Sequence, residues 1–335
     1  MSCRRKNYLY LEERVMGEFR FAIMGAGSIA NKFCDAVERV SGAVTVAVAS
    51  RSAERAREFA DKNRISNAYG DYEEMLVREK PDCVYIAVLP KDHFRLCMMC
   101  VEHDTPVLCE KAMFTGSSEA KALFDAARSR GIFTMEALWS FFLPPLKKVD
   151  QWVMEGRIGK VAYVDFAIGF LAERNPKNRF FNRELAGGAA YDITVYAYEI
   201  VSYLMKEKPA DIWASAVWGE TGVDETDHVT LRYEDCIAAL TASIAAPIEE
   251  KMVVYGSEGR IVLPTPHYGS EAFLYDKAGK LTEHFKDQVT ENGFTYEVQE
   301  VMDCIRVGKL SSDVATWERT VECAELFDRI EETRN

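Results

Sequence analysis

The stretch that most limits what this chain can fold into is a short apolar run, Phe19–Met24, that passes through Gly25-Ala26-Gly27-Ser28-Ile29-Ala30 into a helical pattern reaching about Val40. A strand that turns through paired glycines into a helix is built to hold a phosphate. Gly25 permits the tight turn, Gly27 leaves a pyrophosphate room to approach the backbone, and small Ala30 lets the helix pack on the strand. The helix start at Ser28 and Ile29 adds free N–H groups and a positive dipole end. Alone the motif is weak, but it opens a series. Ala43–Ala49 reads as a buried parallel strand and Ser52 caps a helix over 53–63. Strands at Asp82–Val88, Pro106–Cys109 and Ile132–Glu136 then alternate with helices at Lys91–His103 and from Ser117 or Ser118 to Arg130, where Gly131 stops the turn. This alternation to about residue 137 predicts an α/β chain whose first unit is a doubly wound parallel Rossmann sheet.

After Pro144 and Pro145 the pattern changes. One helix runs to Gly156, and strand-like stretches follow at 160–170, 211–218, 227–233, 236–246, 251–255 and 260–263, with helices near 190–205, 294–307 and 315–332. Consecutive strands predict a second, α+β unit with a large, mostly antiparallel, open-faced sheet. For 335 residues the division expected is an N-terminal extension (1–16), a dinucleotide-binding domain (17–137) and a substrate-binding and oligomerisation domain (138–335). The last helices are expected to pack back toward the first domain. Met16-Gly17 marks an alternative start.

Lys plus Arg number 41 and Asp plus Glu 53, a formal charge of −12, which disfavours nucleic acid and anionic membranes as partners. No apolar run approaches the ~18 residues that span a bilayer. The N-terminus lacks the apolar core of a secretory signal, so the expected location is cytoplasmic. The odd count of nine cysteines suits reduced, buried thiols. Cys97 and Cys100 form a lone CxxC inside an apolar helix and read as core, and no spacing of histidines suggests a metal.

An NAD-selective site places a carboxylate at the end of the second strand. This chain has Ser50-Arg51-Ser52 there, a guanidinium and two hydroxyls suited to a 2′-phosphate, so NADP is favoured with NAD possible. The other reading of Arg51 is a solvated surface residue.

The GAGSIA turn, Ala49-Ser50-Arg51, Leu89-Pro90-Lys91-Asp92-His93, Val107-Leu108-Cys109-Glu110-Lys111 and Gly187-Gly188 followed by Asp192 and Tyr196 together resemble the glucose-fructose oxidoreductase, inositol dehydrogenase and MocA (Gfo/Idh/MocA) family over most of the chain. Met135-Glu136-Ala137-Leu138-Trp139, Phe141-Phe142 and Glu220-Thr221-Gly222-Val223-Asp224 are similar to its trans-1,2-dihydrobenzene-1,2-diol dehydrogenase branch. The resemblance implies that Lys111 lies near the nicotinamide and the reacting hydroxyl, that Glu110 fixes it, and that Asp192 and Tyr196 enter the same cleft from the second domain. Leu89, Pro90 and His93 fall on the cofactor side, His93 either touching the cofactor or capping its helix. The chain departs from the family at Tyr196, where His is more common, and at Ala112, where proline follows the lysine in a bond the resemblance expects to be cis. Without the resemblance, Tyr196 would be an ordinary half-buried aromatic and Glu110-Lys111 a surface ion pair. Dimers or tetramers through the open sheet face are also implied.

Oxidising a secondary alcohol needs a hydride acceptor and a base for the hydroxyl proton. Lys111 beside Tyr196 would lower the phenol toward the phenolate, and Asp192, one helical turn before Tyr196, would orient or pair with the lysine. Trp139, Phe170 and Arg174 are candidate substrate contacts, with Asn175 and Arg179 on the same loop; core packing for the tryptophan and solvent for the loop are the plainer readings. The leading expectation is an NAD(P)-dependent oxidoreductase acting on a sugar, cyclic polyol or trans-dihydrodiol. A retained-cofactor glycosidase or epimerase and a non-catalytic NAD(P) sensor are the alternatives.

Overall fold

A computed structural model describes residues 17–334, so the expected extension 1–16 lies outside the described residues. The first unit runs β1 (Phe19–Met24), α1 (Ser28–Arg39), β2 (Ala43–Ala49), α2 (Ala53–Lys62), β3 (Asn67–Tyr69), α3 (Tyr72–Glu79), β4 (Cys83–Ile86), α4 (His93–Glu102), β5 (Val107–Glu110), α5 (Ser117–Arg130) and β6 (Thr134–Ala137). All its strands are parallel, in the order β3-β2-β1-β4-β5-β6. The order reverses between β1 and β4, and there the loops at the strand ends splay apart and leave a crevice. Central β4 is apolar throughout because helices cover both faces: all four of its residues are buried, each large one contributing about 1.5–3 kcal/mol.

Local chemistry sets most helix ends. Ser52 Oγ accepts the Arg55 N–H at the start of α2, and Gly131 takes the left-handed conformation (φ 72°) that ends α5. The start of α5 differs from expectation. Neither Ser117 nor Ser118 caps it; Gly116 holds that place, and the Ser117 N–H donates to Asp328 Oδ2 at 3.1 Å, so the cap comes from far along the chain. β3, α3 and, farther along, the strands Glu271–Asp276 and Leu281–Lys286 had no counterpart in the sequence reading.

The second unit comprises α6 (Pro144–Met154), β7 (Val161–Gly169), α7 (Val195–Met205), β8 (Asp211–Trp218), β9 (Asp224–Arg232), β10 (Ile237–Ser243), β11 (Lys251–Gly256), β12 (Gly259–Pro264), β13 (Glu271–Asp276), β14 (Leu281–Lys286), α8 (Phe294–Arg306) and α9 (Trp317–Glu332). Its eight strands run β14-β13-β12-β11-β7-β10-β9-β8, antiparallel except for β7 beside β10. Helices α6, α7 and α9 lie against one face. The other face carries Tyr163, Trp213, Val217, Ile237 and Tyr255, all exposed. The last two helices return to the first sheet: α8 packs on α1 and α9 on α5, where Trp317 stacks on Phe124 at 5.0 Å and donates to Thr134 O at 2.9 Å.

Candidate active site

A cleft of about 970 Å³ lies where the ends of the two sheets face each other. Gly25, Gly27, Ser28 and Ile29 line it from the first turn, Leu89 and Pro90 from the loop after β4, Glu110 and Lys111 from the end of β5, and Asp192 and Tyr196 from the second unit. Trp139 and Phe170 also line it.

At one end the glycine turn is shaped for phosphate. Gly25 sits at φ 114°, and a β-carbon there would lie 2.3 Å from Ala87 O, so only glycine fits. A β-carbon at Gly27 would meet nothing nearer than 3.9 Å, which leaves the space over the turn open. Gly27 supplies no side chain to cap α1, so the first-turn N–H groups remain for an anion. These features fit the pyrophosphate of a dinucleotide. Beyond the turn, Ser50, Arg51 and Ser52 are joined by Arg55, Tyr72 and Arg95. Burial raises the Tyr72 phenol, and the charges of Arg51 and Arg95 oppose that shift.

At the other end Lys111, joined to Ala112 by a cis peptide bond, reaches across the cleft. Its Nζ donates to Asp192 O at 2.6 Å, lies 3.5 Å from Asp192 Oδ1 and stands 4.6 Å from the centre of the Tyr196 ring. Burial opposes the charge on Lys111, but Tyr196, Asp192 and Glu110 outweigh it and hold the ammonium above its ordinary value. Asp192 sits in a single π-turn, Ala190–Thr194, that leads into α7, the kind of irregular turn frequent at functional sites. Its Oδ1 also accepts Arg179 Nη1 at 3.0 Å. Burial pushes Asp192 up, yet Lys111 and Arg179 pull it further down, so it stays a carboxylate. Glu110 is buried behind the lysine and accepts the Tyr85 hydroxyl; burial raises it.

Tyr196 departs from the sequence argument. Lys111 does act to lower its pKa, but burial is the larger effect and the phenol ends above its ordinary value. At neutral pH it is a proton donor rather than a standing phenolate.

Two candidates lie elsewhere. His93 is fully buried, with Nδ1 2.9 Å from Ala112 O and Nε2 3.1 Å from Val88 O; it ties the β4 loop to the lysine loop from behind the cleft. Burial pushes it down to about 4, so it is neutral and donates to only one of these carbonyls at a time. Arg174 turns away and forms a two-pronged pair with Glu225, 2.9 and 2.5 Å. Other lining residues were missed: Phe180 and Phe294, which pack on Phe170 and Trp139 at 5.1 Å, and Glu250, His267 and Tyr268 at the β11–β13 edge. Only the turn-rich Pro264-Thr265-Pro266-His267-Tyr268-Gly269 segment hinted at them. Among the described residues no helix is long and apolar enough to cross a membrane, and no cluster of His, Cys, Asp and Glu could hold a metal.

Residues 19–137 match the family described as oxidoreductase family, NAD-binding Rossmann fold, and residues 146–262 match the GFO/IDH/MocA C-terminal domain. A trans-1,2-dihydrobenzene-1,2-diol dehydrogenase of Mus musculus is 31% identical over 317 residues, covering 92% of this chain and 95% of that protein. Among solved structures, levoglucosan dehydrogenase in complex with NADH and levoglucosan has a TM-score of 0.85 at 19% identity, over 95% of this chain and 97% of its own. A 3-ketoreductase from Actinomadura kijaniata in complex with NADP and TDP-benzene reaches 0.84 at 21% identity, over 95% and 98%. These two likenesses carry the fold alone.

Proposed function

The chain belongs to the Gfo/Idh/MocA oxidoreductase family, and on that footing we propose that it transfers hydride between NADP and a secondary alcohol or carbonyl of a sugar, cyclic polyol or trans-dihydrodiol. The observation that carries this reading is the convergence of Lys111, Asp192 and Tyr196 on one end of a cleft whose other end is the glycine turn. A protein that only sensed a nucleotide would need no such proton-transfer group. When bound, the dinucleotide would supply or take the hydride.

In carbonyl reduction the hydride bonds to carbon, the C=O π pair shifts to oxygen, Tyr196 donates its proton to that oxygen, and Lys111 stabilises the charge developing there. In the reverse direction Tyr196 must lose its own proton before it takes the hydroxyl's, so oxidation favours alkaline pH. Asp192, itself held by Arg179, keeps Lys111 in place, and the buried Glu110 adds a charge that favours the ammonium. Arg51, Arg55 and Arg95 supply the charge that a 2′-phosphate needs, and Ser50 stands where an NAD site would offer a carboxylate. The aromatic walls, Trp139, Phe170, Phe180 and Phe294, suit the apolar face of a ring with hydroxyls on its edge.

We take residues 17–137 as the cofactor unit and 138–335 as the substrate and oligomerisation unit. The exposed Tyr163, Trp213, Val217, Ile237 and Tyr255 on one sheet face support a homodimer or homotetramer formed there. The eight described cysteines, all buried thiols, suit the cytoplasm. Fluorescence titration with NADPH and NADH, then absorbance at 340 nm with aldoses, inositols and dihydrodiols, tests the reading. Tighter NADPH binding and turnover that Lys111→Ala and Tyr196→Phe abolish are expected; failure to bind either dinucleotide overturns it.

A further inference from the structure

We propose that His267, held by Glu250, is a specificity-determining residue that accepts a hydrogen bond from the substrate hydroxyl on the carbon next to the reacting one. This rests on the function proposed above and adds to it a residue that discriminates among substrates. Both residues line the cleft that Lys111 enters. Glu250 precedes β11 and His267 lies in the turn after β12, and the register that pairs Lys251 with Pro264 brings them side by side. The Glu250 carboxylate, almost wholly buried, holds the histidine through its backbone: Oε1 accepts the His267 N–H at 3.0 Å, while Oε2 lies 2.7 Å from ring Nδ1 at an angle that makes no hydrogen bond. From the other side Ser140 Oγ donates to His267 O at 2.7 Å, beside Trp139.

The carboxylate occupies the Nδ1 side of the ring, which leaves Nε2 as the ring atom that can meet a ligand. Among the described residues Nε2 has no partner, whereas Lys111 is engaged by Asp192, and Arg179 likewise. The His267 ring packs 4.7 Å from the Tyr196 ring, and Tyr268 closes its other side edge-on at 4.4 Å. A substrate whose reacting oxygen meets Tyr196 therefore presents its neighbouring hydroxyl to His267. That hydroxyl donates to Nε2 while the ring's apolar face lies on the aromatic walls.

The test compares substrates that differ by that one hydroxyl: trans-cyclohexane-1,2-diol with cyclohexanol, D-glucose with 2-deoxy-D-glucose, and D-xylose with its 2-deoxy analogue, each with NADP and the full-length protein. In the wild type kcat/KM is expected to fall about 10- to 100-fold when the hydroxyl is missing. In His267→Ala the diol is expected to drop to the level of its deoxy partner while the partner stays within threefold of wild type, and His267→Asn is expected to restore part of the discrimination. Equal losses on both members of a pair mean that His267 only props the loop and overturn the inference alone. Absence of turnover on every diol by the wild type overturns the proposed function, and the inference with it.

Discussion

Lys111→Ala removes one buried positive charge from beside Tyr196, and its cost follows from geometry. With Nζ 4.6 Å from the ring centre, a full charge developing on the phenol loses about 3–4 kcal/mol at an effective dielectric constant near 20. That corresponds to about 150- to 900-fold in rate. The sign on the pH axis is also set. Burial already raises the Tyr196 pKa and Lys111 is the largest opposing influence, so its removal moves the phenol further up and shifts the alkaline rise of oxidation to higher pH. The fold should survive, because Arg179 still donates to Asp192 Oδ1 at 3.0 Å; Lys111→Met keeps the volume as a control. The assay is kcat against pH at 340 nm with saturating NADP and substrate, alongside NADPH affinity and melting temperature. A loss under tenfold with an unmoved pH profile would refute the argument, as would a loss explained by weakened cofactor binding.

Arg51→Ala and Arg95→Ala are each expected to weaken NADPH binding about 10- to 100-fold and to leave NADH within twofold, measured by fluorescence; equal losses would count against a 2′-phosphate site. His93 is neutral in the fold and pushed down to about 4, whereas an unfolded chain protonates it near 6.5. Its contribution to stability is therefore complete above pH 6.5 and drains away as pH falls toward 4, about 3 kcal/mol in all. Urea titrations at stepped pH should show that slope in the wild type, and a flatter curve in His93→Gln; parallel curves would sink the assignment. Trp213→Asp together with Val217→Asp should turn dimers or tetramers into monomers by sedimentation velocity, and an unchanged species would remove this sheet face as the interface.

The first unit was legible because its signals are local. Gly25 at a left-handed turn, Ser52 at a cap and Gly131 at a stop each act within a few residues of the sequence that carries them. β3, with three residues, was too short to show a period, and β13 and β14 carry charges at positions where an edge of the sheet tolerates them. The α5 cap escaped notice because Asp328 supplies it from α9. In the site, Lys111, Asp192 and Tyr196 could be named only through a family pattern, since nothing in their spacing brings β5 to α7. His267 and Glu250 had no such pattern, and only strand register unites them. The sign of the Tyr196 shift failed for a related reason: a neighbouring charge can be guessed from sequence, whereas the depth of burial that outweighs it cannot.

The return of the last two helices to the first sheet bears on how the chain matures as it is made. The flank of α1 awaits α8, where Asn292 Nδ2 donates to Lys32 O at 2.8 Å, and the flank of α5 awaits Trp317 and the Asp328 cap. The dinucleotide half therefore leaves the ribosome early but stays unfinished until the final residues emerge. A nascent chain halted before α8 should be protease-sensitive in its oldest part, and premature stop codons near the end should cost cofactor binding even though the glycine turn was translated long before.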